Sequence, residues 1–402
     1  MFDGYYTKDM QKRIIIKNKK AAAAQRFHPW VFSGAVKAIE GPVEDGDVVE
    51  VYQEDGSYLA TGHYQDGSIC VRLFSFLPVQ AEQAFWNQKI GGALACRKAL
   101  GLAGNPHTDC YRLVHGEGDG LPGLIIDIYG STAVVQCHSI GMHRMLGPIA
   151  GALRENYGDA LVAVYDKSSE TLPATYASGV KNGYVFGESA PQTVQEHGHT
   201  FWVDWESGQK TGFFLDQREN RWLTGQYARD KKVLNAFCYT GGFSVYALKA
   251  GARQVDSVDV SRTAMAVTDR NVELNGAAPG THQSFAEDTM AFLKAADADY
   301  DLMVIDPPAF AKSIKKRHNA VQGYKRLNAL ALSKLRAGGL LFTFSCSQVV
   351  GRQLFYDTIV AAALETRRQV RVLHHLSQPP DHPVNIYHPE GEYLKGLVLY
   401  VE

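Results

Sequence analysis

From Phe201 to the end of the chain, short apolar runs alternate with helix-like stretches, and that alternation admits few architectures other than a mainly parallel sheet covered by helices. The candidate strands are Lys232–Phe237, Gln254–Asp259, Leu302–Ile305, Gly339–Ser345 and Gly396–Val401. The intervening helices are predicted at Ser244–Ala250, Arg262–Asn275, Thr289–Ala296 and Gly323–Arg336. Open sheets of this kind bind ligands outside the carboxyl ends of their strands. Two of those ends carry chemistry: Asp306-Pro307-Pro308 follows one run, and Phe344-Ser345-Cys346-Ser347 ends the next, forty residues further on. A carboxylate and a thiol are therefore expected to face one crevice.

The preceding sequence divides in two. Between about residues 12 and 76, β-rich runs are punctuated by Asp45-Gly46, Asp55-Gly56 and Asp66-Gly67, the signature of a small β-barrel or meander. A helix is expected over 79–100, with Phe85, Trp86, Ile90, Leu94 and Leu100 on one face. Strand-like Leu113-Val114, Leu124–Tyr129 and Ala133–Cys137, a helix-like Met142–Asn156, then Leu161–Tyr165 and Tyr184–Phe186 read as a small α+β domain. The expected units are 1–78, 79–195 and 196–402.

The 402 residues carry 41 Lys plus Arg against 42 Asp plus Glu, so a polyanionic partner would have to bind a local patch. Two patches qualify: Lys8, Lys12, Arg13, Lys17, Lys19, Lys20 and Arg26 against Asp9 alone, and Lys312, Lys315, Lys316, Arg317, Lys325 and Arg326 with no acid. Each is either a phosphate-contacting strip or a solvated surface. The six cysteines have neither metal-ligand nor disulfide spacing, so no metal is expected and the thiols read as reduced. No secretory leader or membrane-length apolar run is evident, and a soluble, cytoplasmic protein without membrane contact is expected.

The turn Asn235-Ala236-Phe237-Cys238-Tyr239-Thr240-Gly241-Gly242-Phe243-Ser244 is glycine-rich but lacks dinucleotide and P-loop fingerprints. Asp259, eighteen residues after Gly241, ends the next strand, where a carboxylate accepts both ribose hydroxyls. A ribose hook without a phosphate clamp points to S-adenosylmethionine. Asp288 falls where a third strand ends and is a candidate for the adenine amino group. For both aspartates the alternative is a helix N-cap. Upstream, Lys210, Thr211, Phe213, Phe214, Asp216 and Arg218 form either a lid over the cofactor or a turn into core packing. Asn235, Phe237, Tyr239, Thr240, Gly241, Ser261 and Asp306 complete the candidate cofactor set.

Cytosine C5 is a poor nucleophile, and its methylation needs covalent activation by a thiolate adding at C6. Cys346 suits that role, although a lone strand cysteine is often mere packing. Asp306 is placed to hydrogen-bond the N3 side of the ring, on a loop stiffened by two prolines. Cys238, in the glycine-rich turn, reads as packing. The base would have to be unpaired or extruded to reach the thiol.

Arg26-Phe27-His28-Pro29-Trp30-Val31-Phe32-Ser33-Gly34, Gln209–Asp216, Tyr239–Ser244, Asp306-Pro307-Pro308, Phe344–Ser347 and Asp381-His382-Pro383-Val384, in this order, resemble the RlmI-type family of S-adenosylmethionine-dependent 23S rRNA cytosine-5 methyltransferases nearly end to end. The resemblance implies a Rossmann-like methyltransferase domain behind a PUA-like RNA-binding module and an EEHEE domain. It also implies Cys346 as nucleophile, ribosomal RNA as partner and a homodimer. Pro308 stands where many RNA cytosine-5 enzymes of the wider group carry a second cysteine, and Ala309 where relatives often show a basic residue. Two alternatives stay open: methylation of an exocyclic amine of adenine or guanine at the Asp306 loop, and a non-catalytic RNA-binding factor.

Overall fold

The computed structural model describes residues 12–297, 299–311 and 313–402. Lys8, Asp9 and Lys312 of the two basic runs lie outside the described residues.

Six short strands, Arg13–Ile16, Trp30–Phe32, Val36–Glu40, Val48–Gln53, Tyr58–Tyr64 and Ile69–Ser75, form the first sheet. Alternation sets its core: Ile14, Ile16, Val49, Val51, Val71 and Leu73 point inward and are buried together. The Asp-Gly turns work through their glycines, since Gly46, Gly56 and Gly67 all take the left-handed backbone that a side chain would resist.

Helix Gln83–Ala99 buries Trp86, Ile90, Ala93 and Leu94, one face at helical spacing. Together with Leu146–Tyr157 it covers a five-stranded sheet built from Cys110–His115, Leu124–Tyr129, Thr132–Cys137, Ala163–Asp166 and Gly183–Phe186. A hairpin then follows, Gln192–Glu196 and His199–Val203, joined by His197-Gly198 with both residues left-handed. Its Val194, Phe201 and Val203 share a core with Tyr129 and Val134 on one side and Val245, Tyr246 and Val272 on the other. The expected boundary at 195/196 thus falls inside the strand Gln192–Glu196.

The remaining chain is a doubly wound sheet of β1 (Lys232–Ala236), β2 (Gln254–Asp259), β3 (His282–Ala286), β4 (Tyr300–Ile305), β5 (Leu335–Ser345), β6 (Val370–Ser377) and β7 (Lys395–Val401). The order is β3-β2-β1-β4-β5-β7-β6. The first five strands are parallel, whereas β7 runs antiparallel to β5 and to β6. Helices α1 (Arg218–Ala228), α2 (Gly242–Lys249), α3 (Arg262–Leu274), α4 (Thr289–Ala295), α5 (Arg317–Lys334) and α6 (Arg352–Thr366) accompany them. The second basic run is not a loop: Arg317, Lys325 and Arg326 lie on α5, and Lys325 pairs with Glu365 on α6 at 2.7 Å. Strand order reverses between β1 and β4, which opens a crevice at their carboxyl ends. Among the described residues no helix is long and apolar enough to cross a membrane.

Buried charges lock the last two units together. Arg218, the first residue of α1, is fully buried; it donates to Asp381 Oδ2 at 2.9 Å and to Cys110 O at 3.0 Å, and lies 3.5 Å from Glu196. Arg221 forks onto Glu196 at 2.8 and 2.7 Å. The Arg112 amide donates to Asp381 at 2.9 Å while its guanidinium forks onto Asp127 at 2.8 Å. Facing Arg218, and hydrogen-bonded to His382 and that amide, the Asp381 carboxyl is held far below the ordinary carboxylate range. Removing one partner of such a lattice strands a buried charge. Arg218→Met is therefore expected to lower stability by about 3–5 kcal/mol, measured as a shift of the denaturant midpoint, whereas a loss below about 1 kcal/mol would show that water replaces the guanidinium.

Candidate active site

Asp306 is the first residue beyond β4, and Cys346 the first beyond β5. These strands are neighbours, with Ile305 opposite Thr343, so carboxyl and thiol emerge from adjacent strand ends on the same rim. Cys346 is half-buried, unlike Cys70, Cys110, Cys137 and Cys238, and all six cysteines are free. The turn after Cys346 is tied to the Asp306 loop by Ser347 Oγ, which donates to Ala311 O at 2.7 Å.

Asp306 is closely surrounded by protein while keeping some solvent contact. Burial and the Asp216 carboxylate push its carboxyl up to about 7, against the hydrogen bond from Gln217 Nε2 at 3.0 Å. Burial, Asp306 and Asp216 push the Cys346 thiol up to about 11, opposed in part by Lys395. The Asp306 carboxylate thus disfavours ionisation of the Cys346 thiol.

The glycine-rich turn is braced as a cradle. Asp259 accepts from the Tyr239 amide at 3.0 Å and from the Ser261 amide at 2.9 Å, which leaves lone pairs on both oxygens for further donors. Gly241 caps α2 at φ +75°, and a Cβ there would lie 2.6 Å from Thr268 Cγ2. Phe237 and Tyr239 also take left-handed backbone, strain that concentrates where a ligand must approach. Asn271 Nδ2 holds the Thr240 carbonyl at 2.8 Å. The Tyr239 hydroxyl accepts from the Gln209 amide at 2.9 Å and donates to Gly212 O at 3.3 Å, with the Phe214 ring 5.1 Å away edge-on. Asp216 Oδ2 accepts from Tyr393 at 2.7 Å, whereas its buried Oδ1 has no partner.

An adenosine carrying a charged amino-acid tail fits this donor set. Asp259 offers acceptors for ribose hydroxyls, the orphaned Asp216 oxygen an acceptor for an ammonium, and the glycine cradle room for close approach. Val260, beside Asp259, is 75% exposed, an apolar surface suited to a purine face. The residue after the acid on β2 was the signal for it, and sequence reading passed it over. Gln217, Tyr393 and Tyr324 were also missed. The Tyr324 ring lies 4.6 Å from that of Phe310 on the Asp306 loop, tilted against it.

The other expected cofactor residues already have partners or packing within the protein or lie at its surface. Arg218 is consumed by its ion pairs, Thr211 donates to Asp127 at 2.6 Å, and Phe213 is core packing beneath Arg221. Asn235 is buried and bonds Ser244 at 2.8 Å. Lys210 is exposed, at φ +54°. Ser261 and Asp288 are N-caps, accepting from Ala264 at 3.2 Å and Ala291 at 2.8 Å. Asp288 is exposed, with one carboxylate oxygen taken by the cap. Cys238 packs against Met265 with its thiol pushed up by burial.

Among the described residues one metal-type cluster, His28, His388 and Glu390, gathers ligand atoms within 4.8 Å of one another near the first unit. The Trp30 amide donates to His28 Nδ1 at 3.2 Å, which leaves the hydrogen on Nε2, facing Glu390 at 3.7 Å. With Nδ1 occupied, a neutral His28 turns an N–H and not a lone pair toward this cluster.

A family described as S-adenosylmethionine-dependent methyltransferase matches residues 174–395, and a PUA-like domain family matches 14–76. "Ribosomal RNA large subunit methyltransferase I" of Klebsiella pneumoniae (strain 342) is 37% identical, covering 98% of this chain and 100% of its own. The protein of that name from Aeromonas hydrophila is 38% identical over 96% and 98%. A structure from Streptococcus mutans described as a SAM-dependent methyltransferase, 24% identical, covers 96% of this chain and 99% of its own at TM-score 0.82. SMU.776 complexed with SAH superposes at TM-score 0.83, and these two show the shared fold. The fold and crevice define an S-adenosylmethionine-dependent methyltransferase with a PUA-like domain. Within that class, this chain belongs to the ribosomal RNA large subunit methyltransferase I family.

Tyr239→Phe removes the hydroxyl that hooks the 208–214 loop to the cradle. S-adenosylmethionine affinity by calorimetry is expected to weaken about 2–10-fold, the worth of one or two hydrogen bonds, with cooperative unfolding retained; an unchanged Kd would show that the loop closes without the hook.

Proposed function

We propose that this protein forms 5-methylcytosine in large-subunit (23S) ribosomal RNA through a covalent adduct between Cys346 and C6 of the target base. The observation that carries this reading is the half-buried thiol beside a carboxyl of raised pKa, at the ends of adjacent parallel strands. The names of its relatives supply the substrate class.

Bound S-adenosylmethionine supplies an electrophilic methyl group. Asp216, Phe214, Phe237, Tyr239, Thr240, Gly241, Asp259, Ser261 and Asp288 hold it in this reading, with Lys210 at the rim. Thr211, Phe213, Arg218 and Asn235 support that shell from behind. Cys346 Sγ bonds C6 of the cytosine while protonated Asp306 donates toward N3, which makes C5 electron-rich. Gln217 fixes the orientation of the Asp306 carboxyl. C5 then takes the methyl group and S-adenosylhomocysteine is left; loss of the C5 hydrogen as a proton to solvent expels the sulfur as thiolate, N3 returns its proton to Asp306, and the ring is restored. A homodimer acting in the cytoplasm, with the PUA-like unit on structured RNA, completes the proposal; sedimentation of the purified protein tests the dimer.

Nucleoside analysis of ribosomal RNA after incubation with protein and cofactor is expected to yield 5-methylcytidine with the wild type and none with Cys346→Ala. An unchanged rate in the variant would favour transfer to an exocyclic amine beside Asp306-Pro307-Pro308. The pH profile is a second test. The reacting form pairs a protonated Asp306 with an ionised Cys346. Between about 7 and about 11 the pair holds one proton, so this form is a constant small share; below about 7 a second proton binds and the share falls. Single-turnover rates are therefore expected to rise to about pH 7 and to rise no further above it. A continued tenfold rise per unit through pH 9, on the order set by one ionisation, would mean that thiol ionisation alone limits the rate.

A further inference from the structure

Lys395 opens β7 directly across from Ser345, the last residue of β5 before the thiol. It is only 5% exposed, and among the described residues no carboxylate lies within ion-pairing distance of it. Its Nζ donates instead to two carbonyls of the turn that begins at Cys346: Ser347 O at 2.7 Å and Val350 O at 2.8 Å. An ammonium has three hydrogens, so one remains for another acceptor. Burying a cation without an anion is costly, and a packed apolar residue would fill the position at lower cost. A strand-end lysine here calls for an anion that exists during the work cycle and not in the resting protein.

We propose that Lys395 is a positioning residue for methyl transfer, the counter-cation of the Cys346 thiolate and the clamp of the turn that presents it. This rests on the reading of Cys346 as the nucleophile. Its electrostatic surroundings fit the role. Burial brings the Lys395 ammonium down to about 8, while Cys346 and Glu392 favour its charge and Arg352 opposes it. The thiol in turn faces Asp306 and Asp216, whose negative charges disfavour ionisation, and Lys395 opposes both. When Asp306 is protonated against the base, its charge is gone, and of the two carboxylates that oppose the ammonium at the sulfur only Asp216 remains.

Three variants separate charge from clamp. Lys395→Arg keeps both, Lys395→Gln keeps a donor for the carbonyls without charge, and Lys395→Met removes both. The readout is the pH dependence of Cys346 alkylation by iodoacetamide, followed on its peptide by mass spectrometry, in full-length protein whose cooperative unfolding is confirmed. The Gln and Met variants are expected to raise the apparent thiol pKa by about one unit, a roughly tenfold slower alkylation at pH 8, with Arg restoring the wild-type midpoint. The same ranking is expected in kcat with KM for RNA little changed. A wild-type midpoint in Lys395→Gln overturns the proposal and leaves only a clamp; if Met fails to fold, the Gln and Arg pair still decides. Failure of the nucleophile reading would appear separately, as methyl transfer surviving complete alkylation of Cys346 in the wild type, and would also remove any catalytic purpose for the lysine.

Discussion

The register of β4 on β5 is the constraint on which the rest depends. With Ile305 opposite Thr343, each strand spends its apolar residues inside the sheet and reaches the rim with a reactive one, Asp306 from β4 and Cys346 from β5. Side chains alternate along a strand, so a one-residue slip would turn the buried Leu341 and Thr343 to the wrong face and separate the pair. Core burial on both faces of β5 resists that slip. Packing energy therefore fixes the placement of carboxyl and thiol on the rim.

A second layer of order comes from the buried charges. Arg218 and Arg221 begin α1, and their carboxylate partners lie on the hairpin strand and on the Asp381 segment. Held this way, the start of α1 projects Asp216 and Gln217 into the crevice, where one raises the Asp306 pKa and the other orients its carboxyl. The lattice joins the middle unit to the methyltransferase unit through Arg112 and Asp127, with Thr211 bonded to the same aspartate. The middle domain thereby supports the segment that Tyr239 ties to the glycine-rich turn.

Much of this was legible in the sequence, for local reasons. Strands β1, β4 and β5 carry apolar runs buried on both faces, β2 is buried from Val255 to Val258 although half of that stretch is polar, and the strand tips announce themselves through glycine, proline, aspartate and cysteine. Strand β6 was not foreseen because it alternates at an edge, with Val370, Val372 and His374 only half covered. Helix α1 escaped because it buries Arg218, Asn220, Arg221 and Thr224, which read as a solvated face until their partners are known. Those partners lie far along the chain, so no spacing rule discloses them. Arg218 was thus expected at the cofactor, and Lys395 was not marked at all, since the Cys346 turn it holds lies nearly fifty residues earlier. Asp259 and Asp288 were legible as strand-end carboxylates; Asp288 caps its helix, and Asp259 braces the Tyr239 and Ser261 amides.

The central claim is that sulfur 346 attacks the pyrimidine. Ribosomal RNA carrying 5-fluorocytosine, incubated with the protein and S-adenosylmethionine, blocks loss of the C5 substituent and should leave the adduct intact through denaturing electrophoresis. Peptide mapping is expected to find the nucleotide on Cys346, with Cys346→Ser giving no trapped species. An adduct on Cys238 or any other residue, or methylated RNA released without one, would contradict the account.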